Sequence, residues 1–314
     1  MNTPVAVTGG TGFIGREVIA QLVSSGWPVR ALSRRSSPDL EQAGVVVIRG
    51  SLEDEAALQQ LVAGVGAVVH CAGAVQAPNA RAYRLVNEIG SARLVAAATA
   101  AATPPRFLLI SSLAAREPDV STYAESKRLG EDAVRRGAGQ RIDLCILRPP
   151  AVYGPGDRGA LPIFRQLRQG LLFVPAVADA RFSLLYVADL ANMIVQLLEI
   201  SPWGGCTLEP HDGRESGYGW HDLADIAGRH LGRRVRIITI PRQVLWPAAA
   251  VSDAAGAILR RAPRLSRGKL RELFHADWVC HAVPDDPLAS GFPRTTFEGG
   301  FPRTMAWYEQ KQWL

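Results

Sequence analysis

The eight residues TGGTGFIG, Thr8 to Gly15, constrain this chain more than any other segment. They follow the apolar run PVAV and lead into the amphipathic stretch EVIAQLVSSG, so they turn a strand into a helix. Gly9, Gly12 and Gly15 recur at every third position. A tight turn, a backbone close to a pyrophosphate and a helix packed against its strand all need missing side chains, and the helix N-terminus adds amide donors and a positive dipole end. The segment predicts a dinucleotide site at the start of a parallel sheet.

The rest of the first half agrees. Up to residue 150, apolar runs (VRALS, VVVIRG, AVVHCAG, RFLLISS, DLCILRP) alternate with helical stretches such as AALQQLVAG, ARLVAAATAAA and AESKRLGEDAVRR. Continuous apolar strands separated by helices are buried on both faces, which predicts a doubly wound parallel α/β sheet. After LRPPAVYGPGD the regularity weakens and Trp becomes frequent. The expected division is a nucleotide-binding domain over 1–155 and a smaller C-terminal substrate lobe over 156–314, with segments returning to the sheet.

Composition narrows the class. Apolar residues make up 47% of the chain and charged residues 20%, the profile of a soluble globular enzyme rather than a disordered or fibrous chain, and a small-molecule substrate is the expected partner. No apolar run is long enough to span a bilayer and the N-terminus leaves no room for a signal peptide, so the expectation is a cytoplasmic protein without a transmembrane segment. The four cysteines (Cys71, Cys145, Cys206, Cys280) have no CxxC spacing, which predicts free thiols and no metal. The net charge of +6 is spread along the whole chain and argues against a nucleic-acid partner.

Cofactor choice is read about 20 residues beyond the glycine loop, where an acid would hold the ribose hydroxyls of NAD. Here the second strand ends RALSRRSS, with no acid. Ser33, Arg34 and Arg35 offer a hydroxyl and two guanidiniums to a 2′-phosphate, which favours NADP(H) and leaves NAD(H) as the alternative.

The catalytic candidates lie in SSLAAREPDVSTYAESK. Tyr123 and Lys127 are four apart on a predicted helix and share one face. With six Tyr and three Lys in 314 residues, chance places about 0.06 such pairs in the chain. Bringing a free phenol from a pKa near 10 to neutrality takes about 4 kcal/mol. A cation at about 4 Å supplies about 4 kcal/mol at an effective dielectric near 20. Ser111 and Ser112 end the preceding strand, where open α/β sheets bind ligands, and Ser112 would hold a substrate oxygen near the Tyr123 hydroxyl.

TGGTGFIG, VVHCAG, VNEIGSARLVAAA, the Ser pair followed by YAESK, and LRPPAVYGPGD together resemble the short-chain dehydrogenase/reductase superfamily, in its extended or atypical epimerase/dehydratase branch. The closing TTFEGGFPRTMAWYEQKQWL is similar to that branch's last helix. The resemblance implies a Rossmann-type sheet, a catalytic set of Ser112, Tyr123 and Lys127, and a largely structural Asn87. It places the cofactor along Gly9, Gly12, Phe13, Ile14, Gly15, Ser33, Arg34, Arg35, Ser51, Leu52, Cys71, Ala72, Gly73, Tyr123, Lys127, Pro150 and Val152. This chain departs from sugar-nucleotide members in its short Ser112-to-Tyr123 loop, and in having Ser33 and Ser51 where those members tend to carry Asp. The expected activity is therefore interconversion of a secondary alcohol and a ketone. A sugar-nucleotide epimerase or dehydratase with retained NAD is the alternative, and a non-catalytic nucleotide-binding sensor the second.

Other signals are weaker. Asp189 in YVADLANMI reads as a helix N-cap. Arg181 lies one residue from the register of a pyrophosphate-binding Arg, and His275, Cys280 and His281 match no metal spacing. His70 reads as a packed, satisfied histidine. The apolar stretch 244–259 and the Arg-rich 260–272 suit a pocket wall, core packing, a homodimer contact or a weak membrane-surface contact. A pocket wall there would imply an apolar substrate.

Overall fold

Val, Ile, Leu and Ala in unbroken runs form interior strands because helices cover both sheet faces. The computed structural model describes residues 3–177, 179–200, 202–259, 262–263, 265–281 and 294–314. The chain begins β1 (Val5–Thr8), α1 (Phe13–Ser24), β2 (Val29–Ser33), α2 (Pro38–Gln42), β3 (Val46–Arg49), α3 (Glu55–Val62), β4 (Ala67–His70) and α4 (Ala80–Arg84). A π-helical turn, Leu85–Gly90, leads into α5 (Ser91–Ala100), β5 (Arg106–Ile110), α6 (Thr122–Ala138) and β6 (Leu144–Leu147). There follow β7 (Ala151–Tyr153), α7 (Leu161–Arg168), β8 (Leu171–Pro175), β9 (Arg181–Phe182), β10 (Leu184–Tyr186), α8 (Val187–Glu199) and β11 (Thr207–Leu208). The chain ends with α9 (Trp220–Leu231), β12 (Arg236–Ile240), α10 (Arg242–Leu259), α11 (Arg267–Leu273), β13 (Asp277–Trp278) and α12 (Phe297–Gln310).

Two compact units result, one of residues 1–148 with 190–208, the other of 149–189 with 209–314. The first holds a seven-stranded parallel sheet in the order β11-β6-β5-β4-β1-β2-β3, a Rossmann-type doubly wound arrangement. β1, β4 and β6 are buried along their whole length, whereas the edge strand β3 is partly exposed. Strand order reverses between β1 and β4, so the loops leaving Thr8 and His70, partners in register, frame a crevice at the strand ends.

The second unit carries three two-stranded parallel pairs, β10 with β7, β12 with β8 and β13 with β9. Its core is aromatic: Phe164 stacks on Phe301 with centroids 5.3 Å apart, and Tyr153 meets Phe297 edge-on, also at 5.3 Å. One expectation is corrected here. The helix begins at Val187, two residues before Asp189, so Asp189 sits in the first turn rather than at the N-cap. Its carboxylate accepts from the Thr295 backbone N–H and, at 3.1 Å, from the Thr295 hydroxyl, tying down the lead into α12.

Arg181 pairs with Asp222 at 3.1 Å. The His275 ring lies tilted against Trp278 with centroids 4.4 Å apart, and no cluster with metal-binding composition occurs among the described residues. No described helix is long and apolar enough to cross a membrane. Arg260, Arg261 and Arg264 of the basic stretch lie outside the described residues.

Candidate active site

The glycine loop is shaped by contact rather than by flexibility. Gly9 has φ +72°, and a Cβ there would lie 2.6 Å from the Ala72 backbone N, so the loop after β1 rests directly on the loop after β4. Gly12 caps α1 with no side-chain acceptor, and the first turn of α1 holds no acid, which leaves the turn's amides to an anion. Phe13 and Ile14 begin that helix, and Gly15 packs against the Gly9 backbone with no room for a side chain.

At the end of β2, Ser33 is buried and its hydroxyl donates to the Arg35 carbonyl at 2.7 Å. Arg34 and Arg35 are exposed, and among the described residues neither guanidinium has an ion-pair partner. Ser51 accepts from the Glu53 amide at 3.1 Å and Leu52 packs over Gly90. The β1–β2 pairing sets Thr8 beside Leu32, so both strand ends open on the same edge of the sheet.

Helix α6, which carries Tyr123 and Lys127, is capped by Ser121, whose Oγ accepts from the Ala124 amide at 3.0 Å. One turn inside it, Lys127 Nζ donates to the carbonyl of Ile110, the last residue of β5, at 2.9 Å. Ser112 follows two residues later, capping a short 3-10 turn; its Oγ accepts from the Ala114 amide at 3.2 Å and keeps its own proton to donate. The Tyr123 ring lies beside that of Tyr83, with centroids 6.1 Å apart. Cys71, Ala72 and Gly73 leave β4 toward the same place: a Cβ on Gly73 would sit 3.3 Å from both Lys127 Nζ and Asn87 Oδ1.

Burial lowers the Lys127 ammonium to about 8, partly offset by the nearby Glu131 carboxylate and Cys71. Burial pushes the Cys71 thiol up to about 12, against the opposing pull of Lys127, so it stays protonated. Pro150 and Val152 belong to the second unit, where Val152 pairs with Leu185 in β7 and β10.

Behind these groups runs a hydrogen-bonded chain that the sequence reading missed except for Asn87 and a satisfied His70. Ser91 Oγ donates to the Asn87 carbonyl at 2.7 Å, so His70 Nε2 must donate its proton to Ser91 Oγ, 2.9 Å away. His70 Nδ1 then accepts from Thr8 Oγ1 at 2.6 Å, while Thr8 Oγ1 accepts from the Ala72 amide at 3.2 Å. A neutral imidazole satisfies every donor and acceptor of this set. Burial, then the charge of Lys127, lowers His70 to about 3. The Asn87 amide closes on the Ala74 backbone in both directions, at 2.7 and 3.0 Å, and donates to Ser126 Oγ at 2.8 Å. Ser126 donates in turn to the Tyr123 carbonyl at 2.7 Å. The signal available in sequence was the i, i+4 spacing of Asn87 and Ser91, and Ser126 inside YAESK.

A second buried set fixes the strand end. Glu131 is fully buried and takes a forked bond from Arg148, Nε to Oε1 at 2.9 Å and Nη2 to Oε2 at 2.7 Å, while Ser111 donates to Oε1 at 2.6 Å. Ser111 is therefore a positioning residue for β5, whereas the Ser112 hydroxyl makes no such contact with Glu131 and accepts from the Ala114 amide instead.

Known proteins share this architecture. The family model for the NAD dependent epimerase/dehydratase family matches residues 5–202. The chain is 36% identical over 313 residues to a ceramide reductase of Caulobacter vibrioides, covering 99% of this chain and 96% of that protein. It is 30% identical over 206 residues to a 2-alkyl-3-oxoalkanoate reductase of Stenotrophomonas maltophilia, covering 60% and 62%. The solved structure of MoeE5 in complex with UDP-glucose and NAD superposes with a TM-score of 0.75 at 20% identity, covering 99% of this chain and all of that one, a likeness of fold. With a Rossmann-type sheet, the glycine loop at its switch point and relatives that span its length, the chain belongs to the NAD-dependent epimerase/dehydratase family and is an enzyme of its extended short-chain dehydrogenase/reductase type.

Proposed function

We propose that the protein is an NADP(H)-dependent reductase that interconverts a ketone and a secondary alcohol on an apolar, long-chain substrate. The observation that carries this reading is Lys127, fixed to the Ile110 carbonyl one helical turn from Tyr123, with Ser112 two residues further along the chain. The reductase names of relatives at 36% and 30% identity favour reduction of an alkyl- or acyl-bearing ketone over chemistry on a sugar nucleotide.

The residues present fit the cofactor. The side-chain-free cradle at Gly9 and Gly73, the first turn of α1 without a side-chain cap, and Arg34 and Arg35, without an ion-pair partner among the described residues, suit a pyrophosphate, a nicotinamide ribose and a 2′-phosphate. When bound, the cofactor supplies the hydride that reduces the carbonyl carbon. Ser112 donates to the substrate oxygen and orients it. Tyr123 delivers its hydroxyl proton to that oxygen as the alcohol forms. Lys127, still mostly protonated at neutral pH, stabilises the resulting phenolate and directs its remaining N–H groups to the phenol and the ribose. The first unit binds the nucleotide and the second provides the substrate lobe. Four cysteines outside any disulfide fit a reducing, cytoplasmic setting.

The test is a fluorescence titration with NADPH and NADH of the wild type and Arg34→Ala/Arg35→Ala, followed by turnover on long-chain 3-ketones and on UDP-sugars. Tight NADPH binding lost in the double variant, with ketone reduction, is the expected outcome. Preference for NADH unaffected by the variant, with conversion of a UDP-sugar, would replace this reading by the epimerase one.

A further inference from the structure

The outward side of α10 is apolar. Val244, Pro247, Ala248, Val251, Ala254 and Ala255 are its exposed residues from 244 to 255, and the two valines are 62% and 70% exposed. At 3.6 residues per turn all six fall within about a third of the helix circumference. The opposite side holds the polar contacts: Asp253 pairs with Arg267 at 3.1 Å, and Trp246 lies under Arg242 at 4.4 Å and Arg271 at 6.0 Å. A helix packed on a water-soluble core has the reverse arrangement, with charge outward and the apolar stripe inward.

The charge around this stripe is positive. Arg242, Arg267, Lys269 and Arg271 are exposed, and the two acids of α10 and α11, Asp253 and Glu272, are taken up by Arg267 and Lys269. Among the described residues, Arg242 and Arg271 have no ion-pair partner.

We propose that the Val244–Ala255 face of α10 docks on the surface of an anionic lipid bilayer. An interfacial helix sinks its apolar side about 5–10 Å into the headgroup and acyl boundary. With a helix diameter of about 10–12 Å, cations on the far flank then lie at headgroup level, within the Debye length of about 8–10 Å at which anionic lipid attracts them. A second copy of the chain fits less well. Twelve helical residues of about 1.5 Å rise and about 10 Å width offer a footprint near 200 Å². A stable dimer buries about 800 Å² per partner, and a two-fold contact would bring like charges together. The surface rests on α10 and α11 alone and does not depend on the reductase reading.

The test is flotation of the full-length protein with vesicles of phosphatidylcholine, with and without phosphatidylglycerol, alongside light scattering for oligomeric state. Wild type is expected to float with phosphatidylglycerol vesicles in low salt and to be released by high salt. Val244→Glu/Val251→Glu is expected to weaken that binding by about tenfold or more, and Arg242→Gln/Arg271→Gln by several-fold. Val244→Ser/Val251→Ser is the milder variant if the first fails to fold, with thermal melting as the check. Absence of flotation, or equal flotation in all variants, overturns the proposal. A wild-type dimer that the valine variants dissociate, without flotation, assigns the face to a second copy instead. Flotation without cofactor binding leaves this surface standing and removes the proposed activity.

Discussion

Lys127 and Ile110 join helix α6 to the sheet: the ammonium donates to the last carbonyl of β5 at 2.9 Å, and this bond fixes the position of the cation. Among the described residues one of its three N–H groups is spent on the protein, which would leave two for the proposed ligands. Tyr123→Phe and Lys127→Met are each expected to lower ketone reduction by about 10²–10⁴-fold. Tyr123→Phe should leave the melting temperature within a few degrees. Turnover within a factor of a few of wild type in Tyr123→Phe would remove the phenol from the mechanism.

The lowered pKa of Lys127 gives a pH signature. The ammonium is present below about 8 and lost above it, so kcat for reduction should fall as pH rises through about 8. Glu131 raises Lys127, so Glu131→Gln should move the break to lower pH. The same change weakens the forked pair with the partly buried Arg148, at an expected cost of about 3–5 kcal/mol in urea unfolding. An unshifted break would separate Glu131 from Lys127.

His70 predicts acid sensitivity. Its folded pKa of about 3 lies below the unfolded value of 6.5. Between these two values the unfolded chain binds a proton that the folded chain refuses, so this contribution is complete above 6.5 and is lost as pH falls toward 3. The full effect is about 5 kcal/mol. His70→Gln should be less stable at pH 8 yet show a shallower decline of urea midpoint with acid; an identical slope would rule out His70 as the titrating group.

Gly9→Ala should fail locally. The positive φ and the 2.6 Å approach to the Ala72 amide both oppose a methyl, and strain of about 1–3 kcal/mol is expected in thermal or urea unfolding. Because the displaced backbone belongs to the proposed cofactor cradle, binding of the nicotinamide cofactor should weaken together with stability. Gly26→Ala, where φ is +75° but no atom lies within 4 Å, separates the terms: it should cost stability alone.

The sequence by itself determined the alternation of apolar strands and helices, the glycine turn and the Tyr-Lys spacing, because these depend on residues close in the chain and on the short periods of helix and strand. The paired serines were visible as well, though not their division of labour. Only the tertiary structure decided that Ser111 turns inward to Glu131 while Ser112 keeps a free proton, and that the Asp189 carboxylate, read as a cap, reaches Thr295. It alone decided the chain Thr8–His70–Ser91–Asn87–Ser126, whose members come from five separate elements. A buried polar group must find a partner wherever the packing brings one, and that partner has no fixed distance along the sequence.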